Sequence, residues 1–287
     1  MTAGPQPQRS PGPPLGAQPQ RSPGPGPQLS PEPKPIPGGL LLGDGPRRVA
    51  VLHGWLGGAD SWSPLWPHLD GQRFTYAFLD FRGYGGRIGE AGEHTMDEAA
   101  RDVLARLDHL GWDEFSLVAH SMGGVAAQLV MAAAPQRVCG LFGISPVPAS
   151  GSPLGPREAV FRKAVVDLTT RAAIFGASTG GKHEEQWCEA MAAASAASTS
   201  PAALDSYLTS WTGADITERI AGITTPVSVV VGEHDPAYPL ERVRQTWGRC
   251  YPTCELHVLA DAGHYPMDEN PSALAELMQE FLSRTPS

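Results

Sequence analysis

Short apolar runs alternate with longer amphipathic stretches over most of this chain. Runs that suggest strands fall at 48–52, 74–80, 115–119, 138–144, 227–231 and 255–259, and helical patterns fill most of the gaps. Alternation of this kind predicts an α/β fold with a mostly parallel sheet covered by helices on both faces. Thr95 followed by Glu98 reads as a capping box that opens a helix toward Leu110, and Pro271 suits the first turn of the last helix. Between 146 and 225 the alternation gives way to alanine-rich stretches, at 157–175, 184–195 and 202–210, that predict helices without intervening strands.

The first residues follow a different pattern. Thirteen of the 29 prolines lie in residues 1–37, and the octapeptide QPQRSPGP occurs at 6–13 and again at 18–25. Such a segment buries too little apolar surface to offset its ordering entropy, so residues 1–38 are expected to be a disordered, polyproline-II-like tail. Its PxxP pattern offers an alternative reading as a docking element. No continuous apolar signal-type run is present, which predicts a cytoplasmic protein.

The chain carries a net charge of −9, and the tail is itself positive, so the remainder is strongly acidic. That balance argues against nucleic acid or an anionic membrane as partner. No apolar stretch is long enough to span a bilayer. Cys139, Cys188, Cys250 and Cys254 lack the paired spacing of a zinc site and are expected to be reduced, with a Cys250–Cys254 bridge left open. Nine histidines occur without an H-E-x-x-H or comparable cluster, so no metal is expected.

The candidate chemistry lies where apolar runs stop. In SLVAHSMGG the run ends at Ser121, flanked by Ala119 and Gly123, as in a G-x-S-x-G nucleophile elbow with alanine for the first glycine. VSVVVGEHDP delivers Asp235 after a strand, and ELHVLADAGHYP delivers His264 after another. Upstream, RRVAVLHGWLGG ends a strand at His53, Gly54 and Trp55. The order Ser, Asp, His along the chain differs from the orders of chymotrypsin-like and subtilisin-like enzymes.

On HGW (53–55), DFRGYG (80–85), AHSMGG (119–124), GEHD (232–235) and AGHYP (262–266), the chain resembles α/β-hydrolase fold serine hydrolases over 49–282. The small esterases, lactonases and cofactor-free haloperoxidase-like enzymes are closest in pattern. The resemblance implies a core made of 39–145 and 226–287, with 146–225 inserted as a helical cap over the strands' carboxyl ends. The family usually has two further strands before the HG strand; with only 39–47 available after the tail, that edge is expected to be shortened or absent. Serine at the elbow, where related dehalogenases and epoxide hydrolases have aspartate, favours attack on a carbonyl.

By this resemblance Ser121 is the nucleophile, His264 its general base, and Asp235 the carboxylate that orients the imidazole. The backbone N–H groups of Trp55 and Met122 are the expected oxyanion donors. Phe161, Phe175, Trp187, Tyr207 and Trp211 are candidate pocket walls. His53 is expected to shape its loop, His120 to point away from the nucleophile, and Asp80 and Arg82 to stabilise the DFRGYG turn. The implied activity is cofactor-free cleavage of a small-molecule ester or lactone through an acyl-enzyme. Thioester, carbon–carbon or peroxide chemistry on the same triad is an alternative, as is a non-catalytic ligand receptor on the same fold.

Overall fold

The structure, a computed structural model, describes Met1 and residues 32–286. The repeats at 6–13 and 18–25 lie outside the described residues. In chain order the strands are β1 (Lys34–Ile36), β2 (Gly39–Leu42), β3 (Arg47–Leu52), β4 (Phe74–Leu79), β5 (Phe115–His120), β6 (Val138–Ile144), β7 (Val227–Gly232) and β8 (Glu255–Leu259). The helices are α1 (Met96–His109), α2 (Gly123–Ala133), α3 (Glu158–Ala164), α4 (Leu168–Ser178), α5 (Glu185–Ala197), α6 (Pro201–Thr212), α7 (Leu240–Cys250), α8 (Pro266–Glu269) and α9 (Pro271–Arg284). Together the strands form one sheet in the order β1-β2-β4-β3-β5-β6-β7-β8, parallel from β4 through β8 and antiparallel at the β1-β2-β4 edge.

Alternate residues of the central strands feed two separate cores. Ala50, Leu52, Leu117, Ala119 and Val229 pack with α1, α2 and α7, whereas Val49, Val51, Phe78, Val118 and Val230 pack with α9. Strands buried on both faces need apolar residues at every position, which is why the predicted runs are continuous. β4, β5 and β7 are buried throughout. Thr95 caps α1 by accepting the Glu98 N–H at 3.2 Å, as the capping motif predicts.

Two expectations need correction. The antiparallel edge is present in the shortened form expected, with strands of three and four residues, but the tail ends earlier than residue 38, because Lys34–Ile36 pairs with Gly39–Leu42. Pro35 is tolerated on an outermost strand, and Pro37 followed by Gly38 at φ 70° turns the chain back. Gly39 also has no alternative, since a Cβ there would lie 2.1 Å from the Phe78 carbonyl oxygen. The single helical stretch expected at 157–175 is two helices. The break falls at Asp167, whose carboxylate caps α4 by accepting the Thr170 N–H at 2.7 Å.

The insertion between β6 and β7 carries α3 to α6 and is bound to the rest of the molecule by backbone. Gly85 N–H donates to Ser198 O and Ser200 N–H to Gly83 O, both at 2.8 Å. Within the insertion the buried Arg171 guanidinium joins the end of α3 to the end of α5, donating to Ala164 O, Val165 O, Ser195 Oγ and Thr199 Oγ1. All four cysteines are free thiols. Among the described residues no helix is long and apolar enough to cross a membrane, and no cluster of three or more metal-ligating side chains occurs.

Candidate active site

β5 stays buried to its last residue and then stops at Ser121, which sits at φ 48°. A side chain in that left-handed region costs energy, and neighbouring hydrogen bonds hold it there. Ser121 N–H donates to Ile144 O at 3.0 Å, while its carbonyl accepts the N–H groups of Gly124 and Val147 at 2.9 Å each. Close packing requires the surrounding glycines. A Cβ on Gly123 would approach His53 O to 2.8 Å, and one on Gly54 would approach the His120 ring to 2.6 Å and Ser121 Cβ to 3.2 Å. The HG loop and the elbow therefore meet only because both positions are bare.

Asp235 and His264 arrive from the loops after β7 and β8. His264 Nε2 lies 3.0 Å from Ser121 Oγ, and His264 Nδ1 lies 2.8 Å from Asp235 Oδ2. A nitrogen facing a carboxylate carries the proton, which leaves Nε2 free to accept the serine O–H. Asp235 Oδ1 accepts the N–H groups of Ala237 at 2.8 Å and Tyr238 at 3.3 Å. Burial acts to raise this carboxyl, but the adjacent imidazole and the donated hydrogen bonds outweigh it and hold the group below the usual aspartate range.

The backbone around His264 is fixed from three sides. Gly263 and Tyr265 donate their N–H groups to Glu269 Oε2 at 2.8 Å and Oε1 at 3.0 Å, and the Glu269 side chain is 1% exposed. His264 N–H donates to Ser178 O, at the end of α4, at 3.0 Å. His120 donates Nε2–H to the His264 carbonyl at 2.8 Å. Its ring lines the same cavity as Ser121, so it does not point wholly away as expected; it supports the His264 backbone instead. Burial, with the neighbouring His264 second, pushes His120 down to about 3, so it stays neutral beside His264.

The remaining loop residues shape the site. His53 donates Nδ1–H to Gly54 O at 2.8 Å and accepts the Phe81 N–H at Nε2 at 3.1 Å, which ties the HG loop to the DFRGYG turn. Asp80 holds that turn by accepting the N–H groups of Ala59 at 2.8 Å and Gly86 at 3.0 Å. Arg82 grips Asp102 of α1 with two hydrogen bonds of 2.7 and 3.0 Å. Both residues thus serve the turn, as their sequence context suggests. The N–H groups of Trp55 and Met122 donate to no acceptor among the described residues.

A cavity of about 370 Å³ opens over Ser121 and His264. Of the five aromatic candidates, Phe161 and Trp211 line it, with Phe161 stacked on Trp55 at 5.4 Å between centroids. Three do not. Phe175 is buried against Tyr265, Tyr207 is buried against Tyr84 and Phe81, and Trp187 stacks on His183 at 3.9 Å. Tyr238, Ser178 and Glu269, not singled out from the sequence, contribute a cavity wall and the His264 clamp. Glu269 follows His264 by five residues in a polar, proline-bounded segment that carries no periodic signal.

A family model for the alpha/beta hydrolase fold matches residues 48–271. The chain belongs to the α/β hydrolase fold family. One stretch is 36% identical over 99 residues to the dihydrolipoyllysine-residue acetyltransferase component of the acetoin cleaving system of Pseudomonas putida, covering 34% of this chain and only 26% of that relative. The pimeloyl-[acyl-carrier protein] methyl ester esterase of Klebsiella pneumoniae is 25% identical over 82% of this chain and 93% of its own length. Among solved structures, Est816, an N-acyl homoserine lactone degrading enzyme, superposes with a TM-score of 0.70 at 25% identity, over 84% of this chain and 95% of that one.

Proposed function

We propose that this α/β hydrolase fold protein cleaves a small-to-medium carboxylic ester or lactone through an acyl-enzyme on Ser121. The observation that carries the reading is the unbroken relay from Asp235 through His264 to Ser121, with contacts of 2.8 and 3.0 Å, beneath an open cavity. An alcohol is a poor nucleophile until its proton is removed in step with attack. On this reading His264 Nε2 takes the Ser121 proton as Oγ bonds to the carbonyl carbon, and Asp235 stabilises the imidazolium that results. The unengaged N–H groups of Trp55 and Met122 receive the oxyanion; each such donor lowers the barrier by ~3–4 kcal/mol. The imidazolium then gives its proton to the departing alcohol, and water activated by the same base releases the acid.

The β6–β7 insertion acts as the cap. It contributes Phe161 and Trp211 to an apolar cavity of a size suited to a modest acyl or alkyl group. The relatives are consistent with this bond type, since one is named for a methyl ester and one solved neighbour for an acyl lactone. A fluorophosphonate probe tests the proposal. Stoichiometric labelling of the wild type and none of Ser121→Ala is the expected result. A folded wild type that resists the probe would instead favour a non-catalytic receptor.

A further inference from the structure

On the reading that Ser121 attacks an ester carbonyl, we propose that Arg157 makes the cavity select substrates carrying an anionic oxygen group, such as a carboxylate, at the end remote from the scissile bond. Among the described residues Arg157 is the only one lining the cavity with a permanent charge; the other walls are mostly apolar, including Trp55, Leu154, Phe161, Ile174 and Trp211. Arg157 is exposed whereas Ser121 is partly buried, so the guanidinium sits at the rim and the hydroxyl in the interior. A ligand spanning the two therefore needs an ester at one end, an apolar middle, and a group that pairs with a cation at the other.

The charge on Arg157 is not spent within the chain. Among the described residues it forms no ion pair and no side-chain hydrogen bond. The adjacent carboxylate, Glu158, instead accepts from Arg162 at 3.1 and 3.2 Å, and Asp205 is bonded to Arg162 as well at 2.7 Å. The nearby wall adds positive charge. The Arg242 guanidinium stacks over Tyr238 at 5.0 Å and donates to Ser152 Oγ at 2.9 Å, again without a carboxylate partner. Asp235, the acid on that side, is buried and committed to His264.

Among the described residues no side-chain hydrogen bond or ion pair holds arginine at this position. Arg157 precedes the first turn of α3 and makes no side-chain cap, and a cation there opposes the helix dipole. A chain of net charge −9 repels anions at long range, so an anionic substrate requires a local cation to be held. A guanidinium supplies a forked donor matched to a carboxylate.

The test compares two p-nitrophenyl esters of equal chain length, the neutral hexanoate and the monoadipate, which ends in a carboxylate. In Arg157→Gln the ratio of kcat/KM for monoadipate over hexanoate should fall about tenfold relative to wild type, and further in Arg157→Glu. Any general loss of folding or turnover cancels in the ratio. The wild-type preference should also shrink as salt rises from about 10 mM to about 500 mM. An unchanged ratio in Arg157→Gln would overturn the proposal. Calorimetric binding of monomethyl adipate to Ser121→Ala, with and without Arg157→Gln, separates this inference from the hydrolase reading. If wild type hydrolyses neither ester, that reading fails. The subsite is still upheld by affinity about tenfold weaker in the double variant, or refuted by equal affinity.

Discussion

The loops after β5, β7 and β8 and the β6–β7 insertion border one cavity but are held by different means. The loops are fixed by backbone hydrogen bonds and buried carboxylates. Ser121 is bonded to Ile144 and Val147, Asp235 accepts two N–H groups, and Glu269 receives the N–H on each side of His264. The insertion is also tied to the rest by backbone hydrogen bonds, at Ser178, Ser198 and Ser200, but the walls it gives the cavity are placed by side-chain packing, with Phe161 stacked on Trp55 and Trp211 inclined against both. Reacting groups need placement to within fractions of an ångström, whereas pocket walls need only shape and polarity. The difference predicts that substitutions in the loops change turnover, while those in the insertion change which substrate is taken.

The largest effect should come from His264→Ala. Turnover of any ester should drop on the order of 10⁵-fold, because the side chain acts on the barrier, while the variant still folds, with a lowered melting temperature that reflects the loss of the imidazole partner of buried Asp235. Calorimetry alongside initial rates checks both, and retained turnover with a large loss of stability would erase the contrast. A smaller, selective effect is expected in the insertion. Phe161→Ala should lower kcat/KM for long acyl esters about tenfold and leave acetyl esters within about threefold, since only longer chains reach that wall. A uniform loss across chain lengths would place Phe161 among the positioning groups instead.

The smallest expected effect concerns the loop that carries His264. Burial, reinforced by the charge of Glu269, pushes Asp268 up to about 7. The folded state therefore binds this proton more tightly than the unfolded chain, and stability falls as pH climbs from the ordinary aspartate value of 3.8 through about 7. Asp268→Asn removes that cost. Its melting temperature should exceed that of wild type by a few degrees at about pH 8, with the gap closing toward about pH 4. A gap independent of pH would mean that the carboxyl titrates normally.

The same contrast explains what could be read from the sequence. Ser121 and Asp235 follow largely apolar runs and His264 follows the more polar ELHVL, and each strand ends within a residue or two of the place its composition indicates. The β1 edge was hidden because Pro35 and Pro37 share the composition of the tail, although Pro37 and Gly38 together also make a turn. Cavity walls supplied by the insertion are harder to read because one helix face serves two surroundings. Tyr207 and Trp211 lie four residues apart on α6, yet the first is sealed against Tyr84 and the second lines the cavity. Periodicity identifies the buried face and not what it is buried against. Glu269 acts on backbone N–H groups that any residue could supply, so its partners leave no mark in the sequence.

The central claim is covalent catalysis by Ser121, and acid-quenched mass spectrometry during turnover of a short aryl ester tests it directly. The account predicts one acyl group per chain, mapped to the peptide containing Ser121, and neither adduct nor turnover in a folded Ser121→Ala variant. An acyl group on another residue, or ester cleavage undiminished in Ser121→Ala, would contradict it.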